Sequence, residues 1–356
     1  MDALIVTANH TLELQDIQPP QPGQFEAMVK IIACGICSTT DSELVRGTMP
    51  FHNQYPCVLG HEAIGEVIAV GPKVTSFKMG DWVTRPVAIW PDTISDGLTS
   101  AWGGYAEFGV VRDQQAMAAT GDYSMDDNYT ALRQNVLPKS IGIKAAVLSI
   151  ALAETLSCSR HLDLVGRSVC IAGTGIAGLS LILWTKMAGA KHIIVLGRRE
   201  ERLQLAKELG ADDCINVREQ SPVEGIFELC ADGVDCFIEA SGAPEQLQVA
   251  VRSICNGGTV AVYGVAPGGR YELDWTWLPT DIRIVQPPVE EQHARKAIVK
   301  LITEGKIPID KLMTHQWPLA QFQEAFDAIH SGSVVKSMLT MNSISTNARR
   351  NFKLRN

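Results

Sequence analysis

Short β-branched runs set the rhythm of the first third of the chain. Ala27 to Ile32 and Ala63 to Val70 are apolar stretches of strand length, and Gly60, Gly65, Gly71, Gly80, Gly103, Gly104 and Gly109 suit the turns between such strands. The pattern predicts an irregular β domain without alternating helices. From Gly166 the texture changes. Ser168–Ala172 reads as a strand that runs into GTGIAG and an apolar helix over Leu179–Met187. A strand at Ile193–Leu196, a helix over Glu200–Leu209, short strands at Cys214–Val217 and Asp235–Glu239, a helix starting near Pro244 and a strand at Thr259–Tyr263 follow. Alternation at this spacing predicts a mostly parallel sheet covered on both faces. Beyond Val289 an amphipathic helix spans Glu291–Glu304. A second spans Leu319–Ser331, with Phe322, Ala325, Phe326 and Ile329 on one stripe, and Val334–Leu339 returns as a strand. Asp113–Pro138 has no long apolar period; it is either an excursion near an active-site mouth or a surface insertion. The polar, basic tail Asn342–Asn356 is expected to fray or to pack at a subunit edge.

A length of 356 residues suggests two domains, and 46% apolar residues are enough for a sizeable core. The net charge of −8 gives no support for nucleic-acid or membrane partners and leaves a small molecule as the expected one. The N-terminus lacks a basic region followed by an apolar one, and the richest apolar run, Ile143 to Leu156, is too short to span a bilayer and carries Glu154. A cytoplasmic protein is the expectation. The nine cysteines, odd in number and often set in apolar strands, read as reduced thiols rather than a disulfide framework. Cys34 and Cys37 form a CxxC that is a redox pair, part of a metal site, or neither.

Gly173, Gly175 and Gly178, with Ile176 and Ala177 between them, form a GxGxxG that follows a strand and opens a helix. In that context the first glycine permits a tight turn, the second admits a pyrophosphate, and the third lets helix and strand pack closely; the helix N-terminus offers N–H groups to phosphates. The plain alternative is a helix-start glycine cluster with no ligand. An NAD site places an acid at the end of the second strand to accept the ribose hydroxyls. Here that end reads Leu196-Gly197-Arg198-Arg199. Gly197 removes bulk and repulsion, and Arg198 and Arg199 suit a 2′-phosphate, so NADP is expected over NAD. Otherwise both arginines are solvated helix-start charges that Glu200 and Glu201 partly neutralise.

Cys37, His61 and Glu62 are the candidate metal cluster, since thiolate and imidazole with an open or carboxylate position is catalytic-zinc chemistry. The plain alternative makes them ordinary core residues. With CGIC at Cys34 to Cys37, GHEAIGEV at Gly60 to Val67, the GDWV turn, AWGGYAEFGVV, GTGIAG, VDCFIEASG, GGTVAVYGV and WPLAQFQEAFDAIHSG, the chain resembles the zinc-dependent medium-chain dehydrogenase/reductase family, the alcohol and polyol dehydrogenases, from about residue 20 to 340.

The resemblance implies an α/β fold class: a GroES-like β catalytic domain (1–150 and 288–356) around a Rossmann doubly wound parallel-sheet domain (151–287). It implies that Cys37 and His61 are zinc ligands and that Thr39 holds the hydroxyl that hands over the substrate proton. Lys336 matches the family's basic residue near the pyrophosphate. The implied reaction is reversible hydride transfer between NADP and a secondary alcohol. Several positions depart from the family pattern. Asp41 stands one residue late after Cys37, with Thr40 a neighbouring hydroxyl. The fourth ligand position falls near Leu148 and Ser149, neither a strong ligand, which leaves Glu62 or the more distant Glu154 as candidates. Val87 to Ala101 holds no cysteine, so the four-cysteine structural zinc lobe is missing and one catalytic zinc is expected.

The substrate pocket is expected to draw on Thr39, Phe51, His52, the Trp90 to Trp102 segment and residues near Trp275 and Trp277. Those last two tryptophans equally suit a subunit interface of a homodimer or homotetramer. Acids and hydroxyls around the zinc lean towards a polyol, sugar or cyclitol. The rival readings are a zinc-independent quinone or enone reductase of the same superfamily and a non-enzymatic NADP-binding protein.

Overall fold

The computed structural model describes residues 1–91, 93–122 and 128–341, apart from the side chains of Asn128, Tyr129 and Trp277. The tail Asn342–Asn356, residues 123–127 of the insertion and the Trp277 side chain thus lie outside the described residues. The strand Glu26–Ile36 is the axis of a seven-stranded sheet ordered Met313–Pro318, Lys336–Thr340, Glu26–Ile36, Glu62–Val70, Trp82–Thr84 and Val136–Leu137, with Phe108–Arg112 also paired to the axis. Its length follows from Ala27, Val29, Ile31 and Ala33, all buried. The chain's last strand returns beside its third: Lys336–Thr340 runs antiparallel to Glu26–Ile36, with Ser337 opposite Ile36. A four-stranded sheet, ordered Leu12–Asp16, Asp2–Val6, Cys57–Val58 and Thr99–Ser100, closes over Leu4, Ile5, Leu59 and Tyr105.

The middle of the chain forms a parallel six-stranded sheet ordered Asp213–Asn216, His192–Gly197, Ser168–Ala172, Val234–Glu239, Ile254–Val262 and Arg283–Val285. Strand order reverses between Ser168–Ala172 and Val234–Glu239, and ligands bind at such a switch point, outside the carboxyl ends of the strands. The helix Glu200–Leu209 stands as the pattern predicts. The helix Pro222–Leu229, which the periodicity left unread, is capped by the Ser221 side chain and opens on proline.

Ile143–Ser159 is one long helix, buried on nearly every side. A helix without a polar face carries no amphipathic signal, which is why its sequence reads only as an apolar run. It runs straight through the expected boundary at residue 150. It packs against the helices Glu291–Thr303 and Ile176–Ala188 and the strands Glu26–Ile36 and Glu62–Val70. In the Asp113–Pro138 insertion, Asp113 caps a helix over Gln114–Thr120, and a short helix covers Asn128–Ala131. Among the described residues no helix is long and apolar enough to cross a membrane.

Candidate active site

Sheet register builds the metal cluster. Gly35 lies opposite Glu62 and Ile36 opposite Ser337. Cys37 just past one strand end, His61 and Glu62 at the start of the next strand and Lys336 at the start of the third therefore meet on adjacent strands. A Cβ at Gly35 would overlap the Glu62 carboxylate, so glycine makes room for it. Ligand atoms of Cys37, His61 and Glu62 lie within 4.8 Å of one another, the one group of three such ligands among the described residues. The donor set fits zinc: a thiolate, an imidazole and a carboxylate, with His61 Nε2 turned towards Glu62 Oε1 at 3.8 Å.

The charges around the cluster are mutually dependent. Burial opposes the Cys37 thiolate, but the hydrogen bond from His61 outweighs it and lowers the thiol pKa. Burial likewise opposes a charged His61, yet its contacts with Asp41 and Cys37 hold its pKa well above the usual imidazole range. Asp41 Oδ1 lies 3.5 Å from His61 Nδ1, while its Oδ2 accepts from the Cys37 N–H at 2.9 Å and from the Tyr105 hydroxyl at 2.5 Å. The acid that stands one residue late in the sequence therefore still lies beside the histidine. Thr39 is the N-cap of the helix Thr40–Arg46 without a side-chain cap bond. Trp102, at φ 68°, sets its ring 5.1 Å from that of His61, and Phe51 meets Trp102 edge-on at 6.3 Å.

Two expected placements are corrected. Lys336, expected near the pyrophosphate, is buried with its ammonium 2.6 Å from the Glu62 carboxylate. Burial works against its charge, but Glu62 and Cys37 outweigh it and hold its pKa up. Glu154, a candidate fourth ligand, is not among the converging ligand residues; its Oε1 accepts from Arg85 Nη2 at 2.5 Å. Arg85, at φ 55°, also donates to the His61 carbonyl and to both oxygens of Glu291, at 2.8 and 2.7 Å. Arg295 completes the buried network, donating to Glu291 at 3.0 Å and to the Ser149 carbonyl and hydroxyl at 2.9 and 3.2 Å. Ser149, at the family's fourth-ligand position, is thus held by a guanidinium.

The cofactor turn lies at the carboxyl end of Ser168–Ala172. Gly173 adopts φ 117°, and a Cβ at Gly178 would overlap the Gly173 carbonyl, so both must be glycine. Gly175 precedes the helix Ile176–Ala188 and has open space where a Cβ would stand, room for a phosphate. Ile176 and Ala177 form that helix's first turn. Gly197 ends its strand, and a Cβ there would crowd Leu203 and Thr174. Arg198 and Arg199 are exposed beside it, with Arg199 leaning over Gly332. Burial and the nearby Glu154, Cys158 and Cys37 push the hydroxyl pKa of Tyr263, just past Ile254–Val262, well up. Arg85 carried no sequence signal, because it acts through residues far away in the chain. Tyr105 stood in the Gly-Gly-aromatic stretch without an assigned role.

A zinc-binding dehydrogenase family model matches residues 177–302, and an alcohol dehydrogenase GroES-like domain model matches residues 23–121. The L-threonine 3-dehydrogenase of Pyrococcus furiosus is 29% identical over 91% of this chain and 93% of its own length. The benzyl alcohol dehydrogenase structure from Acinetobacter calcoaceticus superposes with a TM-score of 0.79 at 26% identity, covering 96% of this chain and 99% of that one. The 2R,3R-butanediol dehydrogenase of Bacillus subtilis shares the fold, with a TM-score of 0.77 at 24% identity over 96% of this chain and 99% of that one. Fold and site together define a zinc-binding oxidoreductase that catalyses hydride transfer. The chain belongs to the zinc-binding, alcohol-dehydrogenase-like medium-chain dehydrogenase/reductase family, with a GroES-like N-terminal domain and a Rossmann-like domain.

Proposed function

We propose that this chain is an NADP-dependent dehydrogenase of secondary alcohols, acting on a polyol, sugar or cyclitol, with one zinc ion held by Cys37, His61 and Glu62. The observation that carries the proposal is the convergence of those three ligand residues within 4.8 Å at adjoining strand ends. It also weighs against a zinc-independent reductase, which needs no such cluster. Zinc at this site would supply a Lewis acid that lowers the pKa of the substrate hydroxyl. Thr39, half-buried two residues past Cys37, takes the hydroxyl proton and passes it to solvent or to a cofactor hydroxyl. Asp41, braced by Tyr105, orients His61, and Lys336 balances the charge of Glu62. Trp102 and Phe51 wall the approach to His61 with aromatic surface, against which the C–H face of a polyol or sugar packs.

Gly173, Gly175, Ile176, Ala177 and Gly178 would hold the pyrophosphate, and a nicotinamide nucleotide bound at the sheet's switch point would supply the hydride acceptor. The crowding at Gly197 supports NADP, because an acid for the ribose diol does not fit there. Arg198 and Arg199 are assigned to the 2′-phosphate. Glu154 is left out of the ligand set because it does not converge with Cys37, His61 and Glu62, and Lys336 is assigned to the Glu62 carboxylate rather than to the pyrophosphate. The exposed Trp275 and the open sheet edge at Arg283–Val285 support association of copies as a homodimer or homotetramer.

The test combines metal analysis with a panel of secondary alcohols, sugars, cyclitols and L-threonine, the last because relatives bear its name. NADP reduction is followed spectroscopically. The expected result is one zinc at the Cys37 centre and NADP-linked oxidation of a polyol or cyclitol. His61→Ala should lose that zinc and nearly all turnover while circular dichroism stays unchanged. Full turnover in a zinc-free His61→Ala protein would refute the mechanism.

A further inference from the structure

The amino ends of the parallel sheet strands, opposite the cofactor turn, carry a second set of ligand-type side chains. His192 begins the strand His192–Gly197, Asp213 begins Asp213–Asn216, and Cys230 caps the carboxyl end of the helix Pro222–Leu229. His192 Nε2 lies 2.7 Å from Asp213 Oδ2, and His192 Nδ1 lies 3.7 Å from Cys230 Sγ. All three are half-buried, so solvent reaches them.

We propose that Cys230 and His192 form a binding site for a thiophilic divalent cation of the zinc class, with Asp213 orienting the imidazole. The first argument is geometric. Zinc–sulfur bonds of about 2.3 Å and zinc–nitrogen bonds of about 2.0–2.1 Å at a tetrahedral angle separate the two ligand atoms by about 3.6 Å. The Cys230–His192 separation of 3.7 Å needs almost no rearrangement. The second argument is the tautomer. With Nε2–H donating to Asp213, the Nδ1 lone pair faces the sulfur, the arrangement that carboxylates impose on metal-ligating histidines. The third is the local field. The Asp213 carboxylate stands beside the imidazole, and the helix end adds its carbonyl dipoles. A cation relieves that negative potential, displacing the thiol proton to solvent as the Cys230–metal bond forms. Water fills the remaining positions, so the site binds more weakly than the Cys37 centre. It differs in kind and place from the four-cysteine lobe whose stretch, Val87 to Ala101, has no cysteine. Bound there, the ion ties the strand His192–Gly197 to the end of the helix Pro222–Leu229.

The test is a titration of the metal-stripped full chain with Cd2+, counting equivalents by equilibrium dialysis and thiolate-to-metal absorption. Wild type should bind two equivalents, the tighter at the Cys37 centre. Cys230→Ser and His192→Asn should each bind one, and Asp213→Asn should weaken the second about 10- to 100-fold. Cys255→Ser should keep both, because Cys255 faces Asp235 at 3.8 Å rather than an imidazole. A single equivalent in wild type would overturn the proposal. So would survival of the second in Cys230→Ser or His192→Asn, or its loss in Cys255→Ser.

Discussion

Replacing Arg198 and Arg199 together by alanine isolates the assignment of the cofactor's 2′-phosphate. Both guanidinium groups are exposed, with no hydrogen bond or ion pair among the described residues, and Arg199 lies over Gly332. Each is therefore free to turn to a ligand without breaking an internal bond. A charge-assisted hydrogen bond contributes about 1.5–3 kcal/mol, and solvent screening at these exposed positions argues for the lower end. Removing one such bond from each arginine costs about 3 kcal/mol in all, on the order of a hundredfold in dissociation constant. NADH has no 2′-phosphate to bind them, so its affinity should change only a few-fold. The assay is quenching of tryptophan fluorescence by NADPH and by NADH, which reads binding without turnover. The NADPH penalty should shrink as salt rises, because screened charges contribute less. Equal weakening of the two nucleotides, or a wild type that binds both alike, would refute the assignment. Gly197→Asp provides a control of opposite logic. Its Cβ would crowd Leu203 and Thr174, so it should weaken both cofactors rather than convert the enzyme to NAD.

Arg85→Met leaves Glu154 and much of Glu291 without a buried counter-charge, and should cost about 3–5 kcal/mol in urea unfolding of the metal-stripped protein. Glu154→Gln should destabilise wild type but stabilise the Arg85→Met background by removing the stranded carboxylate; equal effects in both would disprove the coupling. Asp113 accepts hydrogen bonds from the Thr75, Ser76 and Ala116 N–H groups. Burial opposes its charge, but these bonds outweigh it and hold the carboxyl below its usual pKa. That stabilisation is present above the unfolded-state value and disappears as pH falls through the folded one. Asp113→Asn should therefore cost about 1–2 kcal/mol at neutral pH, a gap that closes below about pH 4 in paired denaturation curves. Tyr105→Phe removes the hydroxyl that holds Asp41 and should loosen the tethering of His61. Equilibrium dialysis should read this as about 10- to 100-fold weaker zinc binding, and unchanged affinity would remove Tyr105 from the site.

The parallel sheet was legible because its strands are continuous apolar runs and its glycines sit where only glycine fits, as at Gly173 and Gly178. The candidate cluster was legible only as separate motifs. Cys37, His61 and Glu62 stand in short motifs, and sheet register alone brings them together. For Lys336, a motif match fixes the position on a strand but not which charged neighbour holds its ammonium, here Glu62. Glu154 failed for a related reason. It was the nearest carboxylate in sequence, but Arg85, 69 positions away, reaches it first. The register of Asp41 could not be decided from spacing, since the helix beginning at Thr40 absorbs the extra residue and returns the carboxylate to Cys37 and His61.

The helix Ile143–Ser159 is clamped along one flank by the strands that carry the metal ligands and along another by the helix that begins at the cofactor turn. A stiff rod shared by two bodies passes torque between them instead of absorbing it. The ligand-bearing strands and the helix at the cofactor turn therefore lean on one buried packing partner. Cavity-forming substitutions midway along the rod, at Ile150 or Leu152, would then disturb metal and nucleotide affinities together, although neither side chain belongs to either site.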